Sequence, residues 1–487
     1  MKKYSAVFIL LFVPCAGLHA QEIASGRIIS LGGMSTAFAT DVDAIGTNPA
    51  NLIEPSPGRV VLEILPISVN AGSDFLSLGL YNDYFTGTGQ VDSSGNKIGK
   101  YLTASDKANI LNAFPDGVGT VRFGTVVRTV ALSVRENSFA LGFSIDDNVG
   151  GLLSLPSSLL FPLDGNSPGS TISINGLSSM TWWYRTYNLD YAMKLPTVSL
   201  FVPEAIADNF KVGGGIKLAT GFSYSDIRST NSSLYTDPTN YSYTINMGLD
   251  GVRSGLISSA ISKGVDSKVG AQDTRFDPLN PQGLGMGFDL GASARVLRIF
   301  NVGMSLTDIG WISWTKNVVG TYGDTSFTYS GFSPAQVNAP GSTSNLDSLK
   351  NSFSDYFANR DAASSGFTTA LPTRLNIGAS VQLGDLISGI PGGLLVGFDY
   401  HQGLNESLGN ITTPEFVVGA EWKPVAVFPI RTAVGFGGVY GFSWSIGIGL
   451  DLPFWDIDLG IGTLNSVVVP NSAKNISFGM NIFKFRF

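Results

Sequence analysis

Along much of the chain, apolar and polar side chains trade places at every second residue. In the stretch 442–452, Phe442, Trp444, Ile446, Ile448, Leu450 and Leu452 alternate with Ser443, Ser445, Gly447, Gly449 and Asp451. Successive side chains of a strand point to opposite faces, so this stretch has one oily face and one wet face. Trp455, Ile457, Leu459 and Ile461 stand in the same way against Asp456, Asp458, Gly460 and Gly462. Over residues 414–424, Phe416, Val418, Ala420 and Trp422 share one face, and Val417, Gly419, Glu421 and Lys423 the other. Repeated along 487 residues, the pattern predicts an all-β chain: a transmembrane antiparallel β-barrel with one face of each strand on lipid and one on a lumen. Such a sheet must close, because an open edge would leave unpaired backbone groups in hydrocarbon.

Counting back from Phe487, strands are expected near 475–487, 455–464, 442–452, 430–440, 414–424, 393–403, 371–383, 300–315, 283–296, 209–225, 181–195, 138–149, 118–134 and 74–85. That gives about fourteen, an even number as bacterial barrels require. Val60 to Val69 also alternates. Paired with a stretch such as Tyr241 to Leu249, it would raise the count to about sixteen. With the C-terminus on the periplasmic side, the short connections 297–299, 384–392, 425–429 and 453–454 are periplasmic and the long segments 86–117, 150–180, 226–282 and 316–370 lie outside. Long outer loops over short inner turns are the asymmetry such barrels show. Trp182, Trp183, Trp311, Trp314, Trp422, Trp444 and Trp455 all fall near expected strand ends, where interfacial girdles take amphipathic rings.

The last strand changes phase. Ile476, Phe478, Met480 and Ile482 form one apolar set, and Phe483, Phe485 and Phe487 continue in the opposite one. A β-bulge near Ile482 or Phe483 restores the three phenylalanines to the lipid side; otherwise the final residues pass beyond the bilayer edge. With Ser477, Gly479 and a closing aromatic, this stretch resembles the signal read by the outer-membrane assembly machinery.

Composition narrows the class. Charged residues make up 14% of the chain, 59 residues are glycine, and no apolar run after residue 20 approaches the roughly 20 residues that a membrane helix needs. The formal net charge of −7 argues against a nucleic-acid partner. Lys2 and Lys3 before the apolar run Ala6 to Val13, then Ala16, Gly17 and Ala20, read as a secretory signal over residues 1–20. Pro14 before Cys15 disfavours a lipoprotein anchor. Without Cys15 the chain has no cysteine, so disulfides and thiolate metal sites are excluded.

Catalysis finds little support. His401 is the only histidine after residue 20, and it shares the inward face of a strand with Asp399 but has no visible nucleophile. No Gly-x-Ser-x-Gly elbow occurs in a strand-turn-helix context. The expectation is therefore no enzyme, with no catalytic, metal or cofactor residues. Gly283-x-Gly285-x-Gly287 runs on into strand alternation through Val296, which marks small inward residues and not a dinucleotide loop. Asp41-x-Asp43 lacks the other ligands of a calcium loop and is expected to be an acidic pair that is solvated or paired within the N-terminal hatch. Inward charges are Lys194, Lys217, Asp289, Arg295, Arg374, Asp399, Glu421, Lys423, Arg431, Asp451, Asp456 and Asp458. Both signs occur, as in salt-bridged lumen walls.

Between Gly26 and Leu52 the strand pattern stops. The segment is rich in small residues, Gly32-Gly33 permits close backbone approach, and Asn48-Pro49 favours a turn. Residues 21–58 are expected to form a compact N-terminal hatch, and 59–487 the barrel. In Gly32, Gly33, Ala37, Ala39, Asp41, Ala44, Asn48, Pro49, Ala50 and Leu52, the segment resembles the hatch of the FadL-type outer-membrane transport family (FadL, TodX) and its relative PorV. Asn51 departs from the small residue usual there. Thr307-Asp308-Ile309-Gly310-Trp311-Ile312-Ser313-Trp314 also looks like a stretch shared by a broader set of uncharacterised outer-membrane barrels.

The resemblance implies a fourteen-stranded barrel in the outer membrane of a Gram-negative-type bacterium, with a luminal hatch and a side opening through which an apolar solute diffuses. It implies passive uptake of hydrophobic small molecules, fatty-acid-like or aromatic, with outer-membrane lipid and the assembly machinery as further partners. The alternative is a PorV-like assembly or secretion-system component, with secretion partners and no solute transport. Short helices are expected in the outer loops. Leu346, Leu349, Phe353, Tyr356 and Phe357 recur at helical spacing after Ser344-Asn345. That stripe, facing Ile110, Leu111 and Phe114, either contacts ligand or simply covers the barrel mouth.

Overall fold

The computed structural model describes residues 24–163, 167–195, 207–255, 277–329, 361–385, 387, 391–439, 441–464, 471 and 474–487. They form a closed antiparallel barrel of 14 strands. In chain order these are β1 (Val60–Ile64 and Ile67–Ser73), β2 (Val118–Arg135), β3 (Phe139–Pro156), β4 (Ser178–Lys194), β5 (Ala207–Thr236), β6 (Gly283–Val296) and β7 (Phe300–Trp314). There follow β8 (Phe367–Ala370 and Arg374–Gln382), β9 (Gly393–Gly403), β10 (Glu415–Val425), β11 (Phe428–Gly437), β12 (Gly441–Asp451), β13 (Trp455–Ile461) and β14 (Asn475–Arg486). Each pairs with its sequence neighbours, and β14 returns to β1 with Val61 opposite Arg486 and Ile67 opposite Met480. No helix among the described residues is long and apolar enough to cross a membrane.

The outer face carries the oily half of the alternation. Leu218, Met286, Leu290, Met304, Phe398 and Ile448 are exposed there. Their strand neighbours Lys217, Asp289, Ser305, Asp399 and Ser445 are buried inside. A watery exterior would reverse this arrangement, whereas lipid accounts for it.

Two strand expectations are corrected. Residues 74–85 are not a strand: the Ser73 hydroxyl accepts from the backbone N–H groups of Phe75 and Leu76, and Ser77 caps a helix, Leu78–Phe85, by accepting from Leu80 at 3.1 Å. The first wall strand is instead the stretch from Val60, which supplies the fourteenth member. Residues Tyr243–Gly255 do form a strand, but it pairs with the outer part of β5 and with Val318–Tyr329, outside the closed ring. The count of sixteen therefore does not arise.

At one level, three adjacent strands are irregular together. β1 is interrupted at Leu65 and Pro66, with Leu65 at φ 53°. Beside it, β2 shifts register between Arg128 and Val130. On the other side, β14 bulges: Asp456 faces Lys484 while Asp458 faces Asn481. The extra residue lies at Ile482 and Phe483, where the sequence placed it, and the Trp455 indole donates to the Ile482 carbonyl. Proline cannot donate a ladder hydrogen bond, and a bulge re-aims the side chains on either side of it. Arg128 and Lys484 are thereby both turned into the lumen.

The tryptophans divide. Trp311 and Trp422 are exposed on the outer face, consistent with a girdle, but Trp182 and Trp314 are buried inside the barrel. Their positions obey the same alternation as their inward neighbours, Thr186 and Asn188 on β4 and Ile312 on β7.

Candidate functional site

Residues 24–53 run within the barrel and are almost entirely buried. Ser25 caps a single helical turn, Gly26–Ser30. The chain then reverses through Gly32 and Gly33, at φ 65° and 93°, a left-handed backbone that glycine adopts without strain. Asp41–Ala44 and Pro49–Ile53 are short 3₁₀ turns. Asn48 caps the second by accepting from Ala50 at 3.2 Å, and Pro49 occupies the first position, where a missing N–H costs nothing.

The wall makes room with glycine. A Cβ on Gly213 of β5 would stand 2.5 Å from the Ala50 nitrogen and the Pro49 carbonyl carbon. One on Gly291 would meet Pro49, on Gly303 Thr36 and Asn48, on Gly378 Thr36, on Gly397 and Gly419 Met34, on Gly447 and Gly460 Ser30, and on Gly479 Ile29. These glycines lie on β5 to β10 and β12 to β14, so the segment touches most of the ring through bare backbone. Gly213→Ala is expected to destabilise the seated segment by about 1–3 kcal/mol, the cost of overpacking. Gly214→Ala next to it, whose Cβ would meet nothing nearer than 3.5 Å, is expected to be neutral. Thermal unfolding of the two variants side by side checks the difference.

Charge fixes the segment's orientation. Lys484 reaches Asp41 at 2.9 Å and Asp43 at 2.8 Å. Arg27 forks onto Glu421 at 3.0 and 3.2 Å, and Arg431 bridges Glu421 to Asp458. Asn481 donates to Asp458 and accepts from the Gly26 amide at 2.8 Å. Arg128 donates to the carbonyls of Val42 at 2.9 Å and Ile45 at 3.2 Å while paired with Asp146. Glu54 pairs with Lys211. The Asp41–Asp43 pair is thus neither solvated nor paired within its own segment but held inside the lumen by Lys484 of the wall, and much of the lumen wall is salt-bridged as its mixed charge suggested. Lys194 and Arg295 are instead exposed, and Arg295 pairs with Asp208; Arg374 is buried but has no ion pair among the described residues.

Burial pushes the Asp43 carboxyl up, but Lys484 and Arg27 outweigh it and hold the group down at about 2. A depressed folded value contributes stability above the unfolded value of about 3.9 and loses it as pH falls through the folded one. The segment is therefore expected to keep its protection from protease at pH 4 and to lose it only towards pH 2. Release already at pH 5 would contradict the pairing.

Asp399 and His401 serve structure. One Asp399 oxygen accepts from the backbone of Ser35 at 2.7 Å and of Thr36 at 2.8 Å, and from the Thr36 hydroxyl at 2.7 Å. His401 meets Asn376 at 2.9 Å through Nδ1, and its Nε2 is 3.9 Å from Asp399. Asn48 donates to the Thr36 carbonyl at 2.9 Å, and Ser305 donates to Thr47. Gly32, Gly33, Asp41, Asn48, Pro49 and Ala50 are thereby gathered in one luminal body. On β7 a register shift after Leu306 turns Asp308 inward, where Lys217 meets it at 2.6 Å and Asp289 at 2.9 Å.

Leu346, Leu349, Phe353, Tyr356 and Phe357 lie outside the described residues. Ile110 and Phe114 are buried, and the Phe114 ring stacks on Phe75 at 4.3 Å. The sequence reading missed a luminal aromatic cluster of Trp182, Tyr184, Tyr224, Ile312, Trp314, Leu371 and Leu408. Gly221 leaves space for the Trp314 ring at 2.5 Å from a would-be Cβ, and the Trp314 indole donates to Thr369 at 3.0 Å. Gly283 and Gly287 face Trp314 and Leu371 in the same way, so the glycine spacing on β6 belongs to this packing.

Residues 49–463 match the model of a family of unknown function, DUF5723. No curated protein matches the sequence. Among solved structures, the chain is similar to the toluene transporter TbuX of Ralstonia pickettii, at 13% identity over 98% of this chain and 100% of that one, with a TM-score of 0.48. It is similar to a FadL homologue of Pseudomonas aeruginosa at 13% identity, over 97% of each chain, with a TM-score of 0.43. The toluene transporter TodX of P. putida gives 10% identity over 96% of this chain and 99% of that one, with a TM-score of 0.43. Barrels of the FadL type thus recur among the structures this chain is similar to.

Proposed function

The chain belongs to DUF5723, a family of unknown function, and from that premise and the filled lumen we propose that it is an outer-membrane channel for passive uptake of hydrophobic small molecules. Residues 24–53 act as its hatch. The observation that carries this reading is a lumen divided in two: a polar, ion-paired seat for the hatch and, further along the same walls, an aromatic and aliphatic lining. The polar seat keeps hydrated solutes out, because Lys484, Arg27 and Arg128 are already engaged by ion pairs and hydrogen bonds between the wall and the segment it holds. The apolar lining offers a path for solutes that lose little on leaving water. Barrels of 16 or 18 strands leave an aqueous channel, and 8 strands fill with their own side chains; an intermediate barrel needs an added plug to stay selective.

The test is influx of labelled oleate into cells whose outer membrane is intact and whose own hydrophobic channels have been removed. Cells carrying this protein are expected to take up oleate faster than cells without it. Equal rates would remove the reading.

A further inference from the structure

Two residues along β2 from Arg128, the wall draws away from the N-terminal segment and leaves a cavity of about 50 Å³. Val126, Leu152, Trp182 and Tyr184 line one side. Pro372 and the β9–β10 connection, with Leu408 and Ile411, line the other. The connection is pinned to β8: Asn405 donates to the Leu371 carbonyl at 2.8 Å, Ser407 to that of Ala370 at 2.7 Å, and Asn410 to that of Thr373 at 2.9 Å. It presents Leu408, at φ 51°, to the aromatic cluster.

Asn70, Thr125, Asn148 and Asn410 interrupt this lining; Thr125 bonds the Ser68 carbonyl and Asn148 that of Asp146, which leaves Asn70 and Asn410. Asn70 and Asn410 are 2% and 4% exposed, both line the cavity, and the side-chain oxygen of each is buried without a hydrogen-bond partner. The Asn410 amide is oriented by its nitrogen, which donates to Thr373 and Asn405, so its oxygen is the free end. A buried acceptor left unpaired is costly, and a site built around one favours a ligand that brings a donor.

We infer that this cavity binds a small aromatic molecule carrying one hydroxyl donor, a phenol in preference to a hydrocarbon. The inference rests on the channel reading and names the solute class that its lumen selects. As it stands the cavity admits molecules the size of water. A ring takes the place of the Leu408 side chain, which swings aside while Asn405, Ser407 and Asn410 keep the connection pinned to β8. The ring then lies against Trp182 and Tyr184 while its hydroxyl donates to Asn70 or Asn410.

Equilibrium binding of labelled p-cresol and toluene to the full-length protein in lipid discs, corrected with empty discs, tests this. The wild type is expected to bind p-cresol roughly tenfold or more tightly than toluene. Asn70→Leu and Asn410→Leu are each expected to shrink that ratio. Asn410 also holds the connection in place, so Asn70→Leu, on the wall, supplies the variant whose loop contacts are intact. Equal affinities in the wild type, or a ratio unchanged in both variants, would overturn the inference and leave the channel reading standing. If neither compound binds and oleate influx is also unaffected by the protein, both readings fall.

Discussion

Replacing Lys484 by methionine is expected to unseat the N-terminal segment. The Lys484 ammonium is the cation between Asp41 and Asp43, and all three are buried. Glu63 sits opposite Lys484 in the β1–β14 register, also buried. Removing the positive charge in direct contact with them leaves neighbouring carboxylates in a site where water cannot compensate them. Loss of one partner from a buried pair costs about 3–5 kcal/mol, more than the overpacking expected at Gly213. The barrel itself should survive, since methionine keeps the length and β-strand tolerance of the lysine stem. The expected readout is cleavage by protease within residues 24–53 under conditions where the wild type is resistant, with the barrel band intact. Adding Asp41→Asn and Asp43→Asn to Lys484→Met should restore most of the protection, because the repelling charges go with the lysine. A triple variant as loose as Lys484→Met would show that Lys484 acts by packing and not by charge.

Deleting residues 24–53 should have the larger functional effect. The segment fills the space that the wall glycines leave open, from Gly213 on β5 round to Gly479 on β14. No side chain of those strands can grow into it, so the deletion leaves a void lined by Lys484, Arg128, Glu421, Arg431 and Asp458. Such a void is hydrated, and a hydrated lumen conducts. The full-length protein in planar bilayers is expected to show no steady open level, and the deleted barrel a persistent one. Heat-modifiable migration confirms that the deleted chain is still a barrel. A deleted barrel as tight as the parent would mean that the 404–411 connection and the aromatic cluster close the lumen by themselves.

Period-2 alternation made the barrel legible from the sequence, and closure made its even count a physical requirement. The phase change between Ile482 and Phe483 located a bulge because alternation admits no other repair inside the sheet. The same rule misled where local chemistry overrode it. Residues 74–85 alternate well enough to imitate a strand until Ser73 and Ser77 are seen binding backbone, and counting them made Val60 to Val69, which is β1 itself, look surplus. Trp182 and Trp314 fit girdle rings by residue type, but Trp182 shares the inward parity of Thr186 and Asn188, and Trp314 is turned inside by the register shift after Leu306, which the sequence does not announce. The seat of the N-terminal segment was legible only in part. Small residues from Gly32 to Ala50 announced a compact body, but nothing in the sequence pairs Asp43 with Lys484, Arg27 with Glu421, or Gly213 with Ala50. Those partners are brought together by barrel closure, at separations of several hundred residues in the first two cases. The abundance of glycine was visible in the composition, and its use as clearance for the segment appears only once the register is known.

The central claim is a channel that passes hydrophobic solutes and bars hydrated ones. It is tested most directly by measuring oleate influx and sugar influx side by side in channel-deficient cells carrying the full-length chain. The account predicts faster oleate entry with sugar entry at the level of cells lacking the protein. Sugar entry rising together with oleate, or neither rising, would contradict it.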